Sequence, residues 1–345
     1  MPSTTKPKGF YSSGFWTEYL TTQRNKLPVL SDVDDEISDC IVRFLGGNPG
    51  DMQLQGTNTY LVGTGSTRIL IDTGEGLPQW AVNLTRYLED HDISISHVLL
   101  THWHGDHTGG IADLLAHDPT IVVHKNQPNK SQQAIKNGQI FQAEGATLRA
   151  VLTPGHTTDH TCFVLEEENA LFTGDNVLGH GYSVAECLGD YTASLRLMAG
   201  LECSVGYPGH GAVIRDLPRK MKAYIAQRDS REQQVYAALI QQASSGSQGV
   251  ECNRSSSSSR GSSSSSCGSD SGSGDDEDDC EMGLSTSDIG LRLYGEVSKD
   301  SVTFESALKP LLNQVLFMLA ESGKVSSKLV GPDKTRHWFA KGVTY

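Results

Sequence analysis

THWHGDHTGG, residues 101–110, packs His102, His104, Asp106 and His107 into six positions directly after the apolar run His97-Val98-Leu99-Leu100. A folded interior cannot bury so many imidazole nitrogens and carboxylate oxygens without a partner for each. A metal ion supplies those partners. With a strand ending near Thr101 and a helix starting near Thr108-Gly109-Gly110, His102 and His104 point one way, and Asp106 and His107 point at a neighbouring position. That makes a pair of adjacent sites for a borderline metal such as zinc. A polar loop that is merely rich in histidine is the alternative, and it leaves the clustering unexplained.

Outward from this loop the same device repeats. Ile41–Leu45, Thr59–Val62 and Arg68–Ile71 read as a meander of strands separated by Gly- and Asn-containing turns, and the third runs into Asp72-Thr73-Gly74 before a helix from Pro78 to Leu88. Asp72 is read as orienting the metal loop by hydrogen bonding rather than as a ligand. Beyond the loop, Gly110–Ala116 reads as helix, Thr120–His124 as strand, and Leu148–Leu152 as a strand entering Thr153-Pro154-Gly155-His156. Thr161–Leu165 and Ala170–Phe172 follow, the latter running into Thr173-Gly174-Asp175, a carboxylate placed to bridge two cations. After a helix over Tyr191–Met198, Ser204–Tyr207 leads to Pro208-Gly209-His210-Gly211. His160 is read as a supporting or core histidine ahead of a ligand. Five strand ends thus deliver Asp72, the His102 cluster, His156, Asp175 and His210, so that one edge of a β-framework collects them all.

Composition bounds the rest. At 345 residues the chain has room for one sizeable α/β domain and a smaller one. Of the net charge of −13, residues 244–283 contribute −6 and the remainder carries −7, which argues against a dedicated nucleic-acid binder. The seven cysteines, Cys40, Cys162, Cys187, Cys203, Cys252, Cys267 and Cys280, show no paired spacing and read as reduced thiols. The opening MPSTTKPKGFYSSGFW holds no apolar leader, and no apolar run approaches the roughly 18 residues of a spanning helix. A soluble, cytoplasmic protein is expected.

Ile71-Asp72-Thr73-Gly74, the loop Thr101–His107, Pro154-Gly155-His156, Thr173-Gly174-Asp175 and Pro208–Gly211 resemble, in this order and at these intervals, the five motifs of the metallo-β-lactamase fold superfamily. The resemblance spans about residues 38–215 and implies an α/β fold, the four-layer αββα sandwich. It also implies that His102, His104 and His156 hold one divalent ion, that Asp106, His107 and His210 hold a second, and that Asp175 bridges them. Each position carries the expected residue type. Zinc is the expected metal, with manganese and iron open, because histidine and carboxylate suit all three. Two adjacent cations lower the pKa of a shared water and polarise an acyl or phosphoryl oxygen, which is hydrolytic chemistry. Asp106 is the catalytic residue if its carboxylate accepts the water proton and returns it to the leaving group; it is otherwise a ligand alone.

Two subgroups of the superfamily are similar to this chain. One is a fungal group of discrete thioesterases that release aromatic polyketides, such as atrochrysone carboxylic acid, from the acyl carrier protein of non-reducing synthases. The other is an endoribonuclease subgroup typified by an animal mitochondrial enzyme that acts on single-stranded RNA. The lead GFWTEYLTTQRNKLP, the NVLGHGYSV continuation after Asp175 and LGDYTASLRLMAGL resemble the first group more. A thiolate leaving group, with a pKa near 8.5, also departs with little protonation. The reading is therefore a carrier-protein thioesterase, with an RNA substrate not expected and the endoribonuclease as the alternative.

The remaining segments complete the plan. Residues 1–37 are expected to be an N-terminal packing arm, with a short helix around Phe15, Tyr19 and Leu20 stopped by Pro28, and 38–222 the catalytic domain. A helix from Asp216 to Gln242 sets Arg215, Arg219, Lys220, Lys222 and Arg228 on one face, either merely solvated or complementary to an acidic carrier protein. Residues 223–243 and 284–345 read as a winged-helix-like domain with two helices and a hairpin turning at Gly331–Lys334. It is interrupted by a Ser/Asp-rich insert, 244–283, with almost nothing to bury and expected to be disordered.

Overall fold

The first sheet takes its strands in chain order: β1 (Val33–Ser38), β2 (Ile41–Leu45), β3 (Asn58–Val62), β4 (Thr67–Ile71), β5 (Ser94–Leu99), β6 (Val122–Lys125) and β7 (Gln133–Ala134). The second holds β8 (Ile140–Ala143), β9 (Ala146–Leu152), β10 (Thr161–Leu165), β11 (Ala170–Gly174) and β12 (Val205–Pro208), in the spatial order β12-β11-β10-β9-β8. The structure, a computed structural model, describes residues 26–246, 283–301 and 304–341. The expected arm helix around Phe15–Leu20 and residues 247–282 of the insert lie outside them. Antiparallel turns join β1 to β4, whereas β4, β5 and β6 are parallel and therefore need crossovers. The crossovers are α1 (Pro78–Asp90), then α2 (Gly105–Thr108) with α3 (Ile111–His117); α4 (Leu188–Ala199) serves the parallel pair β11 and β12.

Alternation along the strands makes the layers. Tyr60, Val62, Ile69, Ile71 and Leu99 enter the layer between the sheets, where they meet Phe141, Leu148, Phe163, Leu165 and Phe172. Their chain neighbours Leu61, Leu70, Val98 and Leu100 face the other way, onto Trp80, Leu84 and Leu88 of α1 and Leu114 of α3. Trp80, Leu84 and Leu88 recur every four residues, the stripe a helix needs to lie on a sheet. Over the second sheet, Met198 of α4 comes within 3.9 Å of the Cys162 sulfur, and Gly206 leaves the space that Leu217 of α5 (Leu217–Gly246) fills. The result is the αββα order that the resemblance implied.

β1 is a strand where a packing arm is expected; its Asp34, Asp35 and Glu36 keep an edge strand charged and disguise its pattern. The helix after the metal loop also begins earlier than expected, at Gly105 rather than Thr108, because His107 and Thr108 N–H both close onto the His104 carbonyl, at 3.0 and 3.1 Å.

The chain divides into two compact units, Met1–Ser230 and Arg231–Tyr345, the division falling within α5. In the second unit, β13 (Leu284–Ser285) leads into α6 (Thr286–Tyr294), which opens on a capping box between Ser285 and Asp288. α7 (Lys309–Glu321), β14 (Val325–Val330) and β15 (Thr335–Ala340) follow, with sheet order β13-β15-β14. Ile289, Leu312, Val315, Leu316, Leu319 and Trp338 are among its buried side chains. Among the described residues no helix is long and apolar enough to cross a membrane.

Close packing beside the metal loop is tightest at Gly110. A Cβ there would stand 2.2 Å from the Thr73 carbonyl oxygen and 2.4 Å from the Trp80 ring, whereas one at Gly105 meets nothing within 4 Å. Gly110→Ala is expected to lower unfolding free energy by about 1–3 kcal/mol. Gly105→Ala should change it by no more than about 0.5 kcal/mol, both read from urea unfolding midpoints.

Candidate metal centre

β4, β5, β9, β11 and β12 all end on the same edge of the sandwich, and the segment after each carries one of the groups picked out by sequence. All seven candidate ligands meet there. His102, His104, His156 and Asp175 form one group of donors, and Asp106, His107 and His210 a second. His102 Nε2 lies 3.0 Å and His156 Nε2 3.1 Å from His104 Nδ1. In the second group His210 Nε2 is 3.3 Å from both His107 Nε2 and Asp106 Oδ2. Donors bonded at about 2.0 Å to one tetrahedral ion stand about 3.3 Å apart. The spacings are those of ligands around a common centre.

The far nitrogens of His102, His107, His156 and His210 explain why the near ones face inward. Thr101 Oγ1 donates to Asp72 Oδ2 at 2.8 Å, so towards His102 Nδ1, 2.9 Å away, it acts as acceptor. His102 Nδ1 then carries the proton and Nε2 the lone pair. His156 Nδ1 donates to the Val184 carbonyl at 2.9 Å and His107 Nδ1 to Asp72 Oδ2 at 2.7 Å, with the same result. His210 Nδ1 faces the Gly56 carbonyl at 3.4 Å. Lone pairs aimed at one another repel unless a cation or proton sits between them.

Asp175 stands between the groups. Its Oδ1 is 3.4 Å from His107 Nε2, and its Oδ2 is 3.2 Å from His210 Nε2 and 3.6 Å from His156 Nε2. Oδ1 is buried and has no hydrogen-bond partner among the described residues, the kind of orphan acceptor a cation satisfies. Gly209 is required beside it, since a Cβ there would come 2.4 Å from Oδ1.

Charges in the metal-free protein are arranged to match. Burial pushes His102 well below its ordinary pKa and His104 down to about 4, helped by neighbouring imidazoles, so both stay neutral. Burial works against protonation of His210, yet the Asp175 charge and the hydrogen bond to Asp106 raise its pKa to about 9; His107 is raised well above the usual range by Asp175 and Asp72. Asp106 and Asp175 are held below the usual carboxylate range, burial being outweighed by His210 and His107.

Asp72 and His160 are placed as the sequence suggested, beside the donors rather than among them. Asp72 accepts from Thr101 N, Thr101 Oγ1 and His107 Nδ1. His160 Nδ1 pairs with Thr153 Oγ1 at 2.9 Å, and its Nε2 accepts the Asp175 N–H at 3.1 Å. Other supports went unread. Thr57 Oγ1 donates to Asp106 Oδ2 at 3.3 Å and is itself held by Asn48. Asn58 Nδ2 bridges the carbonyls of Pro208 and Gly211, on either side of His210. A buried ion pair, Lys125 to Asp159 at 2.5 Å, ties the end of β6 to the loop that carries His156.

The basic face of α5 also divides. Arg215, Arg219 and Lys222 are exposed. Arg228 instead donates to the Ser183 carbonyl at 2.7 Å and lies over the Tyr191 ring, while Lys220 reaches the Gly181 carbonyl at 3.4 Å and lies over Tyr224. These two residues fix the loop whose Val184 carbonyl holds His156.

A four-layer sandwich with this donor set at its strand ends defines a class, and the comparisons agree: the chain belongs to the metallo-beta-lactamase superfamily, whose family profile matches residues 53–128 and 126–210. It is 67% identical over 323 residues, 92% of this chain and 93% of the relative, to "Thioesterase pkgB" of Emericella nidulans. It is also 49% identical to the "Lactamase-like protein aptB" of the same organism, over 96% of each chain. In structure it resembles a beta-lactamase domain protein from Burkholderia ambifaria, with a TM-score of 0.66 at 16% identity, covering 92% of this chain and 95% of that one. Membership of the superfamily implies binding of divalent metal, and the donor set fits it.

The raised pKa of His210 has a consequence for the metal-free protein. With an ordinary value near 6.5 when unfolded and about 9 when folded, its protonation stabilises the fold fully below pH 6.5, and that contribution is lost as pH rises through 9. The chelated protein is therefore expected to lose several degrees of melting temperature between those two values, the fall being reduced in His210→Gln and in metal-loaded protein, as read by differential scanning calorimetry.

Proposed function

We propose that this chain is a metal-dependent thioester hydrolase that holds two divalent ions, most simply zinc, and releases an aromatic polyketide acid from an acyl carrier protein in the cytoplasm. The observation that carries the reading is the full set of seven donors in two groups, in a chain 67% identical to a relative named a thioesterase. His102, His104 and His156 would hold one ion, Asp106, His107 and His210 the other, with Asp175 reaching both. Bound there, such ions supply Lewis acidity, activating water at neutral pH and polarising a carbonyl oxygen.

The chain's own residues do the rest. Asp106, kept ionised and steered by Thr57, accepts the proton of the attacking water and returns it to the departing sulfur. A thiolate needs little such help, which favours a thioester over less activated bonds. Arg215, Arg219 and Lys222, exposed at and after the start of α5, offer positive charge to an acidic carrier. The unit from Arg231 onward is read as a winged-helix-like packing module.

The decisive experiment offers purified, metal-analysed protein both an acyl-carrier thioester and a structured RNA. Thioester hydrolysis is expected; metal-dependent RNA cleavage with every thioester ignored would replace this reading by an endoribonuclease. His104→Ala and Asp175→Ala are expected to lose metal and turnover together, and Asp106→Asn to lower kcat by roughly 10²–10⁴-fold on every substrate. Reversing Arg219 and Lys222 to Glu should raise KM for the carrier-bound thioester but not for a small thioester. That difference should shrink above roughly 0.15 M salt, where the screening length falls below about 8 Å.

A further inference from the structure

Four large hydrophobic side chains are left in solvent on the three loops that carry or brace the candidate ligands: Met52 (40% exposed), Trp103 (52%), Tyr182 (48%) and Val184 (44%). Trp103 stands between two ligands in the chain, its ring 4.5 Å from that of His104 and edge-on to it. Across His104 lies the His156 ring, 4.8 Å away, and the Val184 carbonyl that holds His156. Tyr182, two residues earlier, rests its ring on Tyr224 at 4.8 Å, and the Tyr224 hydroxyl is fixed by the Leu178 N–H. Met52 precedes Gly56, whose carbonyl faces His210. Folding gains nothing from exposing these groups, and exposed apolar side chains carried on the loops of a polar centre are suited to line a binding site.

We propose that Trp103 and Val184, with Tyr182 behind them, form the wall that grips the acyl group, and that Trp103 selects planar aromatic acyl groups over short aliphatic ones. This rests on the thioester reading for what occupies the site. A carbonyl presented beside His104 and His156 carries its acyl substituent onto what adjoins those two rings: Trp103 stands edge-on to His104, and Val184 is the residue whose carbonyl holds His156. Trp103 is backed by His104 and Tyr182 by Tyr224, so both aromatic faces are set before binding and lose little freedom on contact. Offset or edge contact with a flat acyl group then adds to the apolar area buried. Trp103 also lines, with Thr108, Ile111, Lys125, Asn129 and Gln132, a cavity of about 230 Å³ whose polar lining suits the amides of a carrier arm better than an aromatic group.

The test separates the wall from the reaction. 2-Naphthohydroxamate and acetohydroxamate share one chelating head and differ only in the acyl part, so calorimetric titration of metal-loaded protein reads the wall directly. Wild type is expected to prefer the naphthyl compound, Trp103→Ala to lose roughly tenfold of that preference, and Trp103→Phe to keep most of it, with acetohydroxamate binding and metal content unchanged in both. An unchanged preference in Trp103→Ala, or an equal loss for both compounds, would overturn the assignment. If Trp103 governs the preference while no thioester is hydrolysed, the wall stands and the proposed reaction falls.

Discussion

Three donors converge on one buried carboxylate, and the metal edge hangs from it. Asp72, at the end of β4, accepts the Thr101 N–H and hydroxyl and the His107 Nδ1–H, which binds the end of β5 and the first turn beyond it to β4. It does so from a left-handed backbone conformation, φ 58°, uncommon for aspartate and tolerable where the surroundings determine it. Because the same carboxylate sets the proton on His107 and, through Thr101, on His102, it decides which nitrogens face the centre. A loop of four ligand-type residues becomes a site only when those choices are made.

The supports fall into two sets that meet at the donors. On one side Asn48, Thr57 and Asn58 of the β2–β3 region steer Asp106 and brace the His210 turn. On the other, Arg228, Lys220 and Tyr224 of α5 hold residues 178–184, and through Val184 they hold His156. The helix that presents Arg219 and Lys222 to solvent is thus also a structural member of the centre. Charge that the sequence shows as one basic face divides between solvent and the loop that holds His156.

Much of this was legible in the chain because the chemistry is local. Four donors sit within one loop, each other donor follows an apolar strand run, and those runs stand out as continuously apolar because both faces of the strands are buried. What could not be read is what depends on partners distant in sequence: Thr57 lies 49 residues from Asp106, Lys125 34 from Asp159, and Arg228 45 from Ser183. Nothing in a run such as GTNT marks its hydroxyl as the one beside the Asp106 carboxylate. β1 escaped for a different reason, since VDDEIS keeps its charged residues in solvent at a sheet edge and so lacks a clean period.

Each donor group draws on both sheets. His102 and His104 follow β5 of the first sheet, whereas His156 and Asp175 follow β9 and β11 of the second; Asp106 and His107 likewise face His210, which follows β12. Neither half-site exists on a single sheet, so a chain in which one sheet has formed alone offers at most an incomplete set. The centre therefore works as a clasp across the seam of the sandwich. Competence to bind metal arrives only after the two halves have found their register, and a tightly held ion would in turn resist any slip of one sheet along the other.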